Sequence, residues 1–284
     1  MNKDFNEKVS VVLTSCGRQE LLEKTIDSFS TFNTYPIEKF IIIDDSQNSN
    51  FLNEVEMSSL KNNNLIKELV LINDGINKNQ YYRIDEAYNN IETEYLFHSE
   101  DDWEFLEPDF IKNSLNILRD NRNIFLVNLY GYEQYATTKY TNMMKLHDTE
   151  YECGESKFKL VDKFSNNLWH GFTLNPSLRR LSDYKKLAPY SNFVPGNIAM
   201  IEAEKEFLLL WFHGLFKSWN DITEDWIEKD KDNFFDFSGN IKRHAWKTEC
   251  IIGKRYRDMG IDFAVIDKAY HRHIGEGYSL MEEH

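Results

Sequence analysis

The sequence predicts an α/β fold with a mostly parallel central sheet flanked by helices. In the first half of the chain, short apolar segments alternate with amphipathic ones, a pattern typical of parallel strands joined by helical crossovers. Three of the apolar segments also end in acidic or amide residues. Ligands bind such sheets beyond the carboxyl ends of the strands, so we expect a nucleotide site at that edge.

The predicted strands are short, mostly apolar and bounded by turn-forming residues. They cover residues 9–13, 40–43, 69–72, 95–97 and 124–129. The segment after the first strand is amphipathic and predicts a helix that buries Leu21, Leu22, Ile26 and Phe29. Further helices are predicted at residues 51–60, at residues 80–90 and after residue 108.

The second half of the chain has a less regular pattern. A long helical stretch is predicted over residues 198–219, and no linker rich in Gly, Pro or Ser divides the chain. We therefore expect one domain with two halves, residues 1–130 and residues 131–284. The second half would form a helical subdomain packed on the sheet of the first.

The composition limits the partners and the location of the protein. The 284 residues include 33 Lys and Arg against 47 Asp and Glu, a net charge of −14, which disfavours a long nucleic acid as partner. An acidic protein can still bind a diphosphate through a divalent cation held by its carboxylates. The apolar stretches are far shorter than the roughly 20 residues of a transmembrane helix, and no signal pattern opens the chain. We expect no transmembrane segment and a cytoplasmic protein.

The fourth predicted strand runs through His98 and Ser99 into Glu100, Asp101 and Asp102. Adjacent carboxylates repel one another unless a cation or a proton lies between them. The triplet therefore predicts a divalent metal site at the strand end. A solvated acidic loop is the alternative, since acidic triplets are common.

Two histidines near the C-terminal end, His271 and His273, follow another apolar run. Residues i and i+2 of a strand point to the same face, so both rings could approach one site. Carboxylate oxygens together with one imidazole suit Mn²⁺ or Mg²⁺ better than zinc. A surface pair without a ligand is the alternative.

Glu249 precedes a predicted helix that ends at Gly260. A carboxylate beside a reacting centre can remove a proton from a hydroxyl, so Glu249 is a candidate general base, with an exposed helix residue as the alternative. Trp169, His170 and Asn175 lie in an aromatic segment that could contact a sugar through its CH groups. A core strand is the alternative interpretation of that segment.

Taken in order, these segments resemble a family 2-type glycosyltransferase of the GT-A fold, and the resemblance covers most of the chain. In this chain, VSVVLTSCGRQELLEKTIDSF resembles the family's opening strand, loop and helix, and FIIIDDSQ resembles its second strand. Residues 79–90 are similar to the family's helix that lines the donor site, and YLFHSEDDWEF is similar to its strand with the DxD metal motif. TECIIGKRYRDMGIDFAVIDKAYHRH resembles the family's base segment and metal-binding histidine.

The resemblance implies a GT-A, Rossmann-like fold and metal-dependent hexosyl or pentosyl transfer. The donor would be a nucleoside-diphosphate sugar, expected to be UDP-linked, and the acceptor a glycan or another hydroxyl-bearing molecule, with inversion at the anomeric carbon. The implied metal ligands are Asp102 and His273, with His271 as second choice, and the implied base is Glu249. The implied donor-binding residues are Thr14, Arg18, Asp45, Asp74, Arg83 and Asp101.

The chain departs from the family pattern at two motifs. The metal motif has Glu100 first, which suggests an indirect role for that residue, and Cys250 stands where the family usually has Asp. Three other functions stay open. They are a nucleotidyltransferase, although the first strand lacks a Gly-rich basic loop, an inactive sugar- or nucleotide-binding module, and transfer to a modified DNA base through Lys254, Arg255 and Arg257.

Overall fold

A computed structural model describes residues 7–133, 146–162, 170–194 and 245–275 of the chain. These residues form an α/β fold with a nine-stranded mixed sheet, which confirms the predicted fold class. The first strands and helices in chain order are β1 (Val9–Ser15), α1 (Gln19–Phe32), β2 (Ile37–Asp44), α2 (Phe51–Glu54), α3 (Ser58–Lys61), β3 (Leu69–Ile72), α4 (Gln80–Tyr88), β4 (Tyr95–Glu100), β5 (Trp103–Phe105) and α5 (Phe110–Asp120).

The later elements are β6 (Ile124–Asn128), β7 (Leu146–Cys153), β8 (Ser156–Val161), β9 (Ser177–Arg180), α6 (Leu181–Tyr184), a 3₁₀ helix (Tyr190–Phe193), α7 (Ala245–Asp258), β10 (Asp262–Ile266) and β11 (His271–His273). The strand order of the large sheet is β3-β2-β1-β4-β9-β6-β10-β8-β7, and β5 pairs with β11 in a small second sheet.

The sheet has a parallel half and a mixed half. β1 pairs in parallel with β2 and β4, and β2 with β3. In the other half β9 is antiparallel to both β4 and β6, while β6 and β10 are parallel. All residues of β1 are buried, because a central parallel strand is covered on both faces by helices.

Two apolar clusters cover the two faces of the sheet. Helix α1 packs Leu21, Leu22, Ile26 and Phe29 inward, as its amphipathic pattern predicts. Phe29 and Phe40 meet edge to face with ring centroids 5.1 Å apart in the cluster on this face. The opposite face is covered by α4, α7 and the 3₁₀ helix. The burial of both faces explains why the strand segments are nearly all apolar.

Several boundaries differ from the predicted ones. The segment at residues 51–60 forms two short helices, α2 and α3, instead of one. The irregular region contains a hairpin of β7 and β8. The helix predicted after Glu249 begins earlier than expected, at Ala245, so Glu249 lies inside α7. The predicted helix at residues 198–219 lies outside the described residues. No helix in the described part of the chain is long and apolar enough to cross a membrane.

Candidate active site

The candidate site lies at the carboxyl ends of β1, β2 and β4. Parallel pairing aligns Thr14 of β1 with Ile43 of β2 and with Glu100 of β4. The loops that follow these three strands therefore meet at one edge of the sheet. The sequence predicts this convergence, since parallel strands end on the same side.

Asp101 is fully buried and binds the loop after β1. Its carboxylate accepts hydrogen bonds from Ser15 Oγ at 2.8 Å and from the Cys16 amide at 3.4 Å, and it forms an ion pair with Arg18. Burial raises the pKa of Asp101 to about 6, although the Arg18 charge opposes the shift. The described partners of Asp101 thus fix the loop at residues 15–18 to the acidic triplet.

Asp102, one of the two predicted metal ligands, lies beside the other, His273. The register of the small sheet places His273 of β11 opposite Trp103 of β5, and the backbone carbonyl of Asp102 accepts a hydrogen bond from the Ile274 amide at 2.8 Å. The His273 Nε2 and Asp102 Oδ2 atoms are 3.5 Å apart. Arg18 Nη1 approaches the same Oδ2 at 2.9 Å.

The electrostatics distinguish Asp102 from its neighbour Glu100. Burial would raise the pKa of Asp102, but His273 and Arg18 outweigh it and hold that pKa below its usual value. The Glu100 carboxylate lies toward α4, where it accepts a hydrogen bond from Gln80 Nε2 at 2.6 Å. Burial and the negative charge of Asp102 raise the pKa of Glu100 to about 7.

His271 is also near Trp103 but in a buried setting. Its ring centroid lies 4.5 Å from that of Trp103 and 5.4 Å from that of Tyr130, and the side chain is fully buried. His273, 4.9 Å from Trp103, contacts the same indole and is 39% exposed. Burial lowers the pKa of His271 to about 3, so this ring is neutral at physiological pH.

Asp45, Asp74 and Arg83 form a tight charged group next to the acidic triplet. Arg83 is almost fully buried and forms ion pairs with Asp45 at 3.0 Å and with Asp74. Asp45 also accepts hydrogen bonds from the backbone amides of Lys78 and Asn79 at 2.7 and 2.9 Å. Arg83 and then Lys78 hold the pKa of Asp74 well below its usual value. These contacts order the loop that follows β3.

Glu249 is buried near the start of α7 rather than exposed on the helix surface. Its Oε1 accepts a hydrogen bond from the Leu174 amide at 2.6 Å. Burial raises the pKa of Glu249 to about 8, and the negative charge of Glu100 adds to this increase. The Leu174 amide and the positive charge of Arg179 act in the opposite direction and lower that pKa. A carboxyl group that titrates close to neutral pH is suited to general base catalysis.

The remaining predicted site residues lie in less regular surroundings. Thr14 is buried, and its hydroxyl is 3.5 Å from the Ser99 carbonyl oxygen. His170 is partly buried, and burial lowers its pKa to about 4. The Asn175 amide donates to Thr173 Oγ1 at 3.1 Å. Trp169 lies outside the described residues.

The predicted DNA-contacting group is largely engaged within the protein. The side chain of Arg257 is only 7% exposed and forms an ion pair with Asp262 at 2.6 Å. Arg257 also donates to the Val161 carbonyl oxygen. Lys254 pairs with Asp258 at 2.7 Å. Arg257 therefore has little surface with which to contact a polyanion.

Sequence reasoning missed two residues of this region, Arg179 and Gly275. Arg179 lies inside the sheet on β9, and no sequence pattern signals a buried arginine. A Cβ atom on Gly275 would lie 2.8 Å from Asp102 Oδ2 and 3.0 Å from His273 Nε2. The glycine after His-Ile was visible in the sequence, but its closeness to Asp102 depends on the small sheet.

No protein-family model matches the sequence, and no curated protein matches it. Solved structures to which this chain is similar include a mannosyltransferase, a glucosyl-3-phosphoglycerate synthase and a complex with UDP. S. aureus TarS 1-349 in complex with UDP has 14% sequence identity and a TM-score of 0.49, with 93% of this chain and 59% of that chain covered.

Two further structures contain Mn²⁺. The mannosyltransferase PcManGT from Pyrobaculum calidifontis, in complex with GDP-Man and Mn²⁺, has 11% identity and a TM-score of 0.48, with 71% of this chain and 52% of that chain covered. Glucosyl-3-phosphoglycerate synthase from Mycobacterium tuberculosis, with Mn²⁺ and UDP, has 13% identity and a TM-score of 0.35, with 49% and 47% covered. This chain spans about half the length of the solved proteins.

Proposed function

We propose that this chain is a metal-dependent glycosyltransferase that moves a sugar from a nucleoside-diphosphate sugar to an acceptor hydroxyl. The observation that carries the proposal is the approach of His273 Nε2 to 3.5 Å from Asp102 Oδ2. The two side chains come from distant parts of the sequence and meet where α/β sheets bind nucleotides. A UDP-linked donor and hexosyl or pentosyl transfer are parts of the same proposal.

Asp102 and His273 have the chemistry of a site for Mn²⁺ or Mg²⁺. A carboxylate oxygen beside one imidazole suits these cations better than zinc, and Gly275 leaves open the space next to both donor atoms. Within the described ranges, no group of three or more His, Cys, Asp or Glu side chains could hold a metal. The donor diphosphate and water would therefore complete the coordination, as is common for Mg²⁺.

The cation, when bound, would stabilise the negative charge that develops on the departing diphosphate. Arg18 is the protein's own positive group at this point, 2.9 Å from Asp102 Oδ2. A guanidinium can bind phosphate oxygens through two parallel hydrogen bonds. We therefore assign Arg18 to the diphosphate and Asp101 to the positioning of Arg18.

Glu249 is proposed as the general base. Its buried carboxyl group has a pKa of about 8, so the ionised form is a stronger proton acceptor than an ordinary carboxylate. Glu249 would take the proton of the acceptor hydroxyl while that oxygen attacks the anomeric carbon. Attack from the face opposite the diphosphate gives inversion.

The nucleoside would bind at the group formed by Asp45, Asp74 and Arg83. Asp45 and Arg83 are buried and hold each other and the loop after β3, so their role is to shape the pocket. Asp74 is the more accessible member, with 37% of its side chain exposed, and its carboxylate can accept hydrogen bonds from ribose hydroxyls. Thr14 would line the same pocket.

The acceptor would bind on the side formed by residues 131–284, while residues 1–130 bind the donor. His170 and Asn175 lie in the segment that also supplies the Leu174 amide to Glu249, so an acceptor held there would be near the base. Trp169 belongs to the same proposal by sequence. A glycan or another hydroxyl-bearing molecule is favoured over a DNA base, because Arg257 is paired with Asp262.

Thermal unfolding with nucleotides and metals tests the proposal. UDP or a related nucleoside diphosphate should raise the Tm strongly only in the presence of Mn²⁺ or Mg²⁺, since ligands stabilise the state to which they bind. Equal stabilisation by UDP in excess EDTA would contradict the metal bridge. A panel of nucleotide sugars, assayed with Mn²⁺ for transfer and hydrolysis, then distinguishes a glycosyltransferase from a binding module or a nucleotidyltransferase.

A further inference from the structure

Arg179 is a fully buried cation in the middle of the sheet. It lies on β9 opposite Leu96 of β4. Its guanidinium donates hydrogen bonds to Ser177 Oγ at 3.0 and 3.1 Å and to the Tyr88 hydroxyl at 3.0 Å. In the part of the chain that the structure describes, no carboxylate forms an ion pair with Arg179. A buried charge is costly unless its surroundings compensate it. The groups that compensate the charge of Arg179 therefore have to be identified.

The third partner of Arg179 is the Thr173 carbonyl oxygen, which accepts a hydrogen bond from Nη2. That oxygen belongs to the same peptide unit as the Leu174 amide, which donates to Glu249 Oε1 at 2.6 Å. A trans peptide is planar, and its carbonyl oxygen and amide hydrogen point in opposite directions within that plane. The peptide therefore lies between the guanidinium and the carboxylate, with its dipole aligned to both.

Because of this alignment, the charge of Arg179 can act on Glu249 although the two side chains do not form an ion pair. A positive charge on the carbonyl side polarises the peptide and strengthens the hydrogen bond that its amide donates. Arg179 also fixes the position of the peptide, because Ser177 and Tyr88 hold the guanidinium in turn. The neighbouring Arg180 has a different environment, since it pairs with Asp183 at 2.7 Å and binds the Ile124 carbonyl oxygen at 3.0 Å.

We propose that Arg179 is a positioning residue for Glu249, which it holds in place and whose ionised form it stabilises through the Thr173–Leu174 peptide. This inference rests on the proposed function where it concerns catalysis. The hydrogen-bonded link itself does not depend on the reaction.

The charged and titratable groups around Glu249 come from several elements. Glu100 of β4 repels the ionised form, and Arg179 of β9 stabilises it, together with the Leu174 amide and the Thr173 hydroxyl. His98, on β4 near Arg179, is kept neutral because burial and then Arg179 lower its pKa. Removal of the Arg179 charge therefore leaves the repulsion from Glu100 unopposed by a buried cation.

Titration of Glu249 by infrared difference spectroscopy tests the link without an assay of activity. The carboxyl band that disappears in Glu249→Gln reports the protonation midpoint of Glu249. Arg179→Met should raise that midpoint by about one to two pH units, the usual effect of a nearby opposite charge. Arg180→Met is the matched control and should leave the midpoint unchanged. An unshifted midpoint in a folded Arg179→Met variant would overturn the proposal.

The wild-type protein provides a second measurement in case Arg179→Met does not fold. The Arg179 side-chain NMR resonances and the Leu174 amide should both change with pH at the midpoint of Glu249. Neither should change at that pH in Glu249→Gln. Arg179 resonances that are independent of pH in the wild type would contradict the link directly.

Kinetics separate this inference from the proposed function. If Glu249 is the base, Arg179→Met should lower kcat by roughly 10- to 100-fold, part of the 10²–10⁴-fold contribution of a general base. KM for the donor should stay near the wild-type value, and the pH at which kcat rises should increase. Arg179→Lys, which keeps the charge, should restore part of kcat. If Glu249→Gln transfers sugar normally while Arg179→Met shifts the infrared midpoint of Glu249, then Glu249 is not the general base. The hydrogen-bonded link between Arg179 and Glu249 would still be supported.

Discussion

The acidic residues at the site fall into two groups according to how completely the protein satisfies them. Asp45 accepts three hydrogen bonds, two from backbone amides and one from Arg83. Asp101 accepts hydrogen bonds from a hydroxyl, an amide and Arg18. Such carboxylates have little capacity left for a ligand, so they organise the loops around the site.

Asp102 and Glu249 are less completely bonded. The Asp102 carboxylate has Arg18 and His273 as its charged neighbours, and Glu249 is held mainly by the Leu174 amide. Both keep lone pairs that a cation or a hydroxyl proton could use. We therefore propose that the less bonded carboxylates take part in the chemistry, whereas the more completely bonded ones hold the loops in place.

The largest expected effect is on transfer by Glu249→Gln. The substitution keeps volume and hydrogen-bonding capacity but cannot accept a proton at neutral pH. Transfer should fall by roughly 10²–10⁴-fold, or about 2.7–5.4 kcal/mol of transition-state stabilisation, while nucleotide and metal affinity stay near wild type. Steady-state kinetics with saturating Mn²⁺ measures this. Unchanged transfer would remove Glu249 from the mechanism.

Asp45→Asn should affect stability instead. It leaves the buried Arg83 without its closest buried carboxylate partner, and breaking a buried ion pair costs about 3–5 kcal/mol. We expect a free energy of unfolding lower by about 3 kcal/mol, measured by urea denaturation. Asp27→Asn on the exposed face of α1 is the control and should change stability little. A fully stable Asp45→Asn variant would contradict the division into two groups.

The stability of the wild type should depend on pH through Glu249. The pKa of this carboxyl group rises from an ordinary 4.5 to about 8 in the folded protein, so between these values the folded state retains a proton that the unfolded state loses. Stability from this group is therefore lost as pH rises through that window. Glu249→Gln should be more stable than wild type by several kcal/mol near pH 8, and the difference should shrink toward pH 5. Thermal unfolding across this range checks it, with Glu20→Gln as an exposed control.

The smallest effect is expected from Asp102→Asn, which removes the negative charge of one metal ligand and keeps its shape. Metal-dependent UDP binding should weaken by roughly 10- to 100-fold, and folding should survive because neighbouring carboxylates repel one another. Calorimetric titration of UDP with and without Mn²⁺ measures the change. Wild-type metal affinity in the folded variant would remove Asp102 from the proposed metal site.

The sequence predicts the parallel half of the sheet well because its signals are local. The apolar runs of β1 and β2 and the acidic triplet at the end of β4 can each be recognised in a short window. Strand β9 could not be predicted in this way. Its sequence SLRR is fully buried, whereas arginines are almost always exposed unless they are paired.

The candidate site was only partly predictable for the same reason. The pairing of His273 with Trp103 in the small sheet joins distant segments, and no local pattern sets that register. The choice between His271 and His273 likewise depends on tertiary packing, since both rings contact the same indole. The burial of Glu249 depends on the packing of α7, which helical periodicity cannot specify.

The small sheet has a consequence for the order of events during synthesis. Its strands pair antiparallel, and an exposed ion pair links Arg272 to Glu104, residues 168 positions apart. Asp102 would leave the ribosome long before His273, so a nascent chain would have the acidic triplet without its imidazole neighbour. Contacts between such distant segments form slowly. The complete pair of Asp102 and His273 can therefore arise only after β11 has been synthesised and has docked on β5.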